Sequence, residues 1–236
     1  MCGRFVSARK RAELLEEFAV QRDAVAADRE PDYNVAPTKR IYTVLDHKDE
    51  RELRLVRWGL VPSWAKDTKG GSRLINARAE TVAVKPAFRA AFARRRCLIP
   101  ADGYYEWQTE PDSKVKQPFY IYRTDGGILA FAGLYELWKN PEVPEDHEDA
   151  WYWSATIITT DATDEIGKIH DRTPMVIAPA DWADWLDPAN REKEHLLQTM
   201  HPAMSSGQGG LTARPVSTTV NSVRNNGPEL ITPLAG

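Results

Sequence analysis

The residue after the initiator methionine is a cysteine, in Met1-Cys2-Gly3-Arg4-Phe5. Removal of Met1, which is favoured before a small side chain, would leave Cys2 with a free α-amine and a thiol on adjacent carbons. An α-amine titrates near about 8 and a cysteine thiol near about 8.5, so both are partly available as nucleophiles at neutral pH. Together they suit the capture of an aldehyde. The amine condenses to an imine, the thiol adds to the imine carbon, and a thiazolidine ring closes with the high effective concentration of an intramolecular step. The competing reading of the same residue is a small hydrophobe that packs a terminus against the core.

Other residues carry proton-transfer or anion chemistry. Asp102-Gly103-Tyr104-Tyr105-Glu106-Trp107 sets the Glu106 carboxylate in an aromatic run. Aromatic neighbours desolvate a carboxylate and raise its pKa, which suits a proton shuttle; an edge-strand glutamate facing water is the alternative. His170-Asp171-Arg172-Thr173-Pro174-Met175 places a histidine just before a strand, where it can trade protons near neutrality or serve as a satisfied loop residue. Asn76-Ala77-Arg78-Ala79-Glu80 spaces an amide, a guanidinium and a carboxylate by two. An extended chain would turn all three to one face, and a helix would scatter them. Arg57–Trp64 puts two tryptophans around a Gly/Pro bend, and Asp32–Thr38 reads as a rigid polar loop. There is no Gly-x-Ser-x-Gly elbow, phosphate-binding glycine loop or His-Glu-x-x-His. His47, His147, His195 and His201 lack ligand-like spacing, so no metal and no cofactor is expected.

Elements must hold these groups in place. The 236 residues support one sizeable core, and 42% hydrophobic with 28% charged residues is ordinary for a globular chain. No apolar run is long enough to span a bilayer, and none opens the chain; a cytoplasmic, monomeric protein is expected. Two cysteines, Cys2 and Cys97, give no disulfide framework, and Cys97 sits in an apolar strand-like run. A net charge of −3 argues against a broadly basic DNA-binding surface but allows a local groove. Basic residues cluster at Arg9–Arg11, Lys39-Arg40 and Arg94–Arg96; acidic ones gather in Glu142–Asp149, an exposed loop.

Apolar patterning predicts strands at Ile41–Leu45, Glu52–Trp58, Cys97–Ile99, Tyr104–Gln108, Phe119–Arg123, Leu129–Tyr135, Ser154–Thr159, Met175–Ala178 and Ala213–Val216. Short helices are expected after a Ser7 cap, over Pro86–Arg95, Ala180–Leu186 and Glu192–Thr199, with a less ordered tail from about 221. Many strands with scattered helices imply a single-domain α+β fold around a mainly antiparallel, barrel-like sheet.

Met1–Phe5, Tyr33–Thr38, Arg57–Trp64, Asn76–Thr81, Asp102–Trp107, Phe131–Trp138 and His170–Met175 resemble, in order, the signature of the SOS-response-associated peptidase (SRAP) family. The resemblance covers nearly the whole chain. It implies recognition of abasic sites in single-stranded DNA, a thiazolidine crosslink through the N-terminal cysteine, and self-removal of Met1. Residue by residue, it implies Cys2 as the crosslinking residue and Asn76 beside the crosslink. It implies Glu106 in ring-opening and proton transfer, and His170 in proton management. Arg4, Arg78 and Arg172 match expected phosphate contacts, and Trp107 a stacking surface for a flanking base. Two other readings share parts of this set: a cysteine-dependent peptidase without DNA, and a noncatalytic single-stranded DNA-binding module.

Overall fold

The computed structural model describes residues 2–109, 115–147, 150–203 and 210–234. In chain order the strands are β1 (Phe5–Ser7), β2 (Arg22–Asp23), β3 (Asp32–Val35), β4 (Arg40–His47), β5 (Glu50–Trp58), β6 (Asn76–Arg78) and β7 (Arg96–Ala101). They continue with β8 (Gly103–Gln108), β9 (Gln117–Arg123), β10 (Leu129–Lys139), β11 (Trp151–Asp161), β12 (Arg172–Ile177), β13 (Met200–Pro202) and β14 (Leu211–Pro215). The helices are short: α1 (Arg11–Glu17), α2 (Ala79–Val82), α3 (Arg89–Arg94), α4 (Trp182–Leu186) and α5 (Lys193–Thr199).

One sheet has the order β14-β9-β8-β1-β3. The other runs β13-β12-β10-β7-β4-β5-β11-β6 and closes on itself, because β11 also pairs with β10 and β12. The result is the α+β, barrel-like architecture that the strand pattern predicts. Its central strands are apolar at consecutive positions because both faces are covered. Ile41 and Leu45 of β4 join the cluster that holds Cys2, Phe5, Trp58 and Phe131. Tyr42 and Val44 join the cluster beneath α1, α3 and α4, with Leu14, Phe92 and Trp185. The β4–β5 hairpin turns through Lys48 and Asp49, whose φ values of 54° and 65° match a two-residue turn with the twist of its strands. Arg96 is buried and donates to the carbonyls of Phe92 (2.9 Å), Trp185 (2.6 Å) and Asn190 (3.0 Å), tying α3 and α4 to β7.

Two expectations are corrected. Ser7 does not cap α1. It ends β1, and Lys10 precedes the helix without a side-chain cap. Residues 222–234 are not a loose tail. Asn34, fully buried, donates Nδ2 to the carbonyls of Val220 (3.2 Å), Ser222 (3.0 Å) and Asn225 (2.9 Å). Leu230 is buried in a turn of 3-10 helix, and Val216 bridges to Pro233. Met1 and the last two residues of the Glu142–Asp149 run lie outside the described residues.

Candidate active site

Four sequence-predicted residues meet where the two sheets face each other. Cys2 precedes β1 and is buried in the cluster shared by both sheets. β8 lies between β1 and β9, with Phe5 opposite Tyr104 and Glu106 opposite Phe119. It is therefore an interior strand, and the edge-strand reading of Glu106 is set aside. Strand alternation sends Tyr104 and Glu106 to the Cys2 side and Tyr105 and Trp107 to the other. Glu106 is 2% exposed. Burial pushes its carboxyl up to about 7; the chain's N-terminal amine opposes that rise and the Asp171 charge adds to it. Burial also raises the Cys2 thiol, and the Glu106 charge raises it further, while the Arg4 backbone N–H opposes. The resting pair is thus a protonated thiol beside a carboxyl poised near neutrality.

Asn76 opens β6, which lies parallel to β11 with Asn76 opposite Ile157. Its Nδ2 donates to the Cys2 carbonyl at 2.9 Å. Its Oδ1 is buried and accepts from no donor among the described residues. A buried acceptor left so is costly, which makes it a natural seat for an incoming N–H or O–H.

His170 follows a 3-10 turn (Glu165–Lys168) whose start is capped by Asp164, which accepts from the Ile166 N–H at 3.0 Å. The Arg172 N–H donates to His170 Nδ1 at 3.0 Å. Burial lowers the pKa of His170, favouring the neutral ring. With Nδ1 accepting, the proton resides on Nε2, which faces Glu106 Oε2 at 3.8 Å. Asp171 Oδ1, 3.0 Å from Nδ1, becomes a partner when the ring is protonated. Around this centre, the Tyr104 hydroxyl lies 3.2 Å from the Thr173 hydroxyl, which donates to Ala203 O at 2.8 Å.

The expected DNA contacts divide. Arg78 is exposed on the Asn76 side of β6. Arg172 is committed elsewhere: its Nη1 donates to Glu80 at 3.0 Å and to Asp161, and its Nη2 to Thr159 O at 2.7 Å. Its backbone N–H orients His170, so Arg172 positions the imidazole, and a phosphate there would have to compete with two carboxylates. Glu80 reaches Arg172 because the chain is extended only through Arg78 and then turns into α2. The three groups of Asn76–Glu80 therefore do not share one strand face. Arg4 and Trp107 lie on the far face of the β1–β8 pair. Arg4 Nη1 donates to Asn34 Oδ1 (2.7 Å) and Val220 O (2.9 Å). Its guanidinium lies 5.7 Å from the Trp107 ring, whose Nε1 donates to Asn221 at 2.7 Å.

The most exposed aromatic among the described residues is Trp64 instead, 68% accessible on the loop between β5 and β6. Its neighbour Ala65 accepts from Trp138 Nε1 at 2.7 Å. At the loop's base, Gly59 (φ +123°) and Gly71 approach so closely that a Cβ on either would meet the other's carbonyl at 2.7 Å. The Gly/Pro bend of Arg57–Trp64 was the signal for it; which tryptophan is exposed was not readable. Among the described residues no three His, Cys, Asp or Glu side chains gather as a metal site, and no helix is long and apolar enough to cross a membrane.

Fold and site define a barrel-like α+β protein whose second residue brings a thiol to a buried carboxyl–imidazole pair. The chain belongs to the SOS response associated peptidase (SRAP) family, whose pattern matches residues 1–223. It is 39% identical over 231 residues to the abasic site processing protein YoqW of Bacillus subtilis (strain 168), covering 98% of this chain and 99% of that one. It is 33% identical over 238 residues to the abasic site processing protein YedK of Escherichia coli (strain K12), covering 99% and 100%. A crystal structure of a Bacteroides thetaiotaomicron protein superposes with a TM-score of 0.82, covering 99% of this chain and 100% of that one. At 23% identity that likeness speaks to the fold.

Proposed function

We propose that this chain, once Met1 is removed, captures abasic sites in single-stranded DNA through a thiazolidine on Cys2. The observation that carries the reading is the convergence of Cys2, Asn76, Glu106 and His170 from four separate segments. The relatives' names, abasic site processing proteins, support an abasic site as the substrate class.

An abasic deoxyribose exchanges between a closed hemiacetal and an open aldehyde, and only the aldehyde reacts. Glu106, half-protonated near pH 7, assists ring opening. The Cys2 amine adds to the aldehyde carbon, and Asn76 Oδ1 accepts one of its hydrogens. Glu106 gives a proton to the departing hydroxyl, which leaves as water, and takes a proton back from the nitrogen as the iminium becomes the imine. The thiol sulfur then adds to the imine carbon. Its proton passes through the Glu106–His170 pair to the ring nitrogen, so the net change is loss of one water. A lesion without a base has no edge to read, so contacts to the strand's phosphates position it. Arg78 is free for one such contact, and Trp64 offers a face on which a flanking base stacks. The same carboxyl and imidazole serve removal of Met1 ahead of capture.

Denaturing electrophoresis with abasic and intact single strands tests the reading. A shifted band is expected with the abasic strand alone. An equal shift with the intact strand, or none with either, overturns it.

A further inference from the structure

A second surface of this molecule carries unbalanced charge that the crosslinking site does not use. Arg40 and Arg57 are direct cross-strand partners in the antiparallel β4–β5 ladder, so their side chains rise from the same face. Both are exposed. Like charges directly opposite each other destabilise a sheet. Neither arginine, nor Lys66 beside them, makes an ion pair or side-chain hydrogen bond among the described residues. Tyr152 completes the cluster: burial raises its phenol, and Arg57 and then Arg40 oppose that rise. These four residues line a groove of about 880 Å³.

The other lining residues include indole rings, two arginines with carboxylate partners and three carboxylates. Trp138, Trp151 and Trp153 line it, and Trp151 is 40% exposed. Arg54 lies 4.1 Å from the Trp153 ring and pairs with Glu52. Arg29 is 3.7 Å from Asp32. Of the acidic lining residues, Asp28 pairs with Arg11 at 3.2 Å. Asp67 accepts from the Lys69 N–H at 2.9 Å, and Glu142 also lines the groove. Unpaired guanidinium groups next to indole faces are the composition that holds a single-stranded phosphodiester chain: cations on the backbone, rings under the bases.

Its position links it to the crosslinking site. β5 and β6 follow one another along the same edge of β11, with Arg57 opposite Ser154 and Asn76 opposite Ile157. Three residues of strand separate them, roughly 10 Å at about 3.3 Å per residue. The two side chains leave opposite faces of the sheet. The loop that joins them carries Trp64, Lys66 and Lys69 around that edge.

Resting on the crosslinking reading above, we infer that Arg40, Arg57, Lys66 and Tyr152 form a second phosphate-binding groove. It holds the single-stranded DNA that flanks the abasic site after the strand passes over the Trp64 loop. The groove adds affinity and sets the length of strand engaged, and it takes no part in the chemistry at Cys2.

The test is Arg57→Glu. The new carboxylate pairs across the ladder with Arg40, which preserves the sheet while cancelling the site. Arg40→Gln/Arg57→Gln serves as the neutral companion, and melting curves of both should match or exceed wild type because a repulsion is removed. Binding of intact strands of about 5 and about 15 nucleotides is measured against salt. Each lost phosphate contact on a single strand removes about 0.7 from the logarithmic slope. On the long strand, the double glutamine variant should lose about 1.4 and Arg57→Glu at least as much. On the short strand neither should change, and both should crosslink saturating abasic DNA at the wild-type rate. Unchanged slopes on the long strand, or equal losses on both lengths, overturn the inference. If wild type binds both strands yet forms no adduct with abasic DNA, the crosslinking reading fails by itself, independently of the slopes.

Discussion

Glu106 and Glu136 are both buried glutamates in strands, 2% and 4% exposed, yet the protein treats them oppositely. Glu136 on β10 is gripped by a guanidinium fork: Arg95 Nε is 2.8 Å from Oε1 and Nη2 donates to Oε2 at 2.8 Å. Glu106 on β8 has an imidazole at 3.8 Å in place of a guanidinium, and burial holds its carboxyl near pH 7. A fixed cation makes a buried carboxylate a strut. A neutral-leaning imidazole leaves it able to gain and lose a proton at working pH.

Substitutions should separate the two. The largest effect is expected for Glu106→Gln, assayed after mass spectrometry confirms that Met1 is absent. Single-turnover crosslinking should slow by about 10²-fold or more without losing its product, the scale of a missing general acid–base group. The wild-type rate should fall as pH rises above about 7, where Glu106 gives up its proton. The glutamine variant should lack that limb. A variant that crosslinks at the wild-type rate would place Glu106 with the struts.

Next in size is Arg95→Ala. It strands the Glu136 charge in the sheet and should cost about 3 kcal/mol by denaturant unfolding. Crosslinking per folded molecule should be unchanged. Should Arg95→Ala unfold at the wild-type denaturant concentration, the strut reading of Glu136 is wrong.

The contrast also has a signature in stability against pH. The Glu106 carboxyl titrates near 4.5 when unfolded and about 7 when folded, so the native state binds the extra proton between those values. Its contribution is fully present below about 4.5 and lost as pH rises through 7, on the order of 3 kcal/mol in all. Subtracting the Glu106→Gln stability profile from that of wild type should reveal this fall. A flat difference would mean that Glu106 is not held in its raised state.

Asn34→Ala gives a smaller effect still, about 2 kcal/mol, because it leaves the carbonyls of Val220, Ser222 and Asn225 short of a donor. Proteolysis after Asn225 should accelerate. If the cleavage rate stays at the wild-type value, Asn34 does not hold the C-terminal segment.

How far the sequence speaks follows from these same residues. The fold class was legible because the central strands are long apolar runs. The proposed chemistry was readable at Cys2 because it depends only on a thiol at the position after Met1. Glu106 was half-legible. Its aromatic neighbours gave desolvation, but whether β8 is an edge depends on β1, about a hundred residues earlier in the chain. For Glu80 the spacing left strand and helix both open, and the chain decides against a shared face by turning into α2 at Ala79. Arg4, Trp107 and Arg172 show the limit most clearly. An arginine's type suggests a phosphate partner, yet Asn34, Val220, Glu80 and Asp161 already occupy these side chains or their faces, through contacts of long sequence separation. The tail from 221 was misjudged for the same reason: the residue that fastens it lies at position 34.

The most direct measurement is intact mass spectrometry of the protein, with Met1 verified absent, after incubation with an abasic single strand, for wild type and Cys2→Ala side by side. Wild type should gain the mass of the strand less one water, stable to heat and denaturant. Cys2→Ala should form an adduct only when borohydride reduces the imine of its remaining amine, at the mass of the strand less one water plus two hydrogens. A stable, unreduced adduct on Cys2→Ala, or no adduct on wild type, would contradict the account.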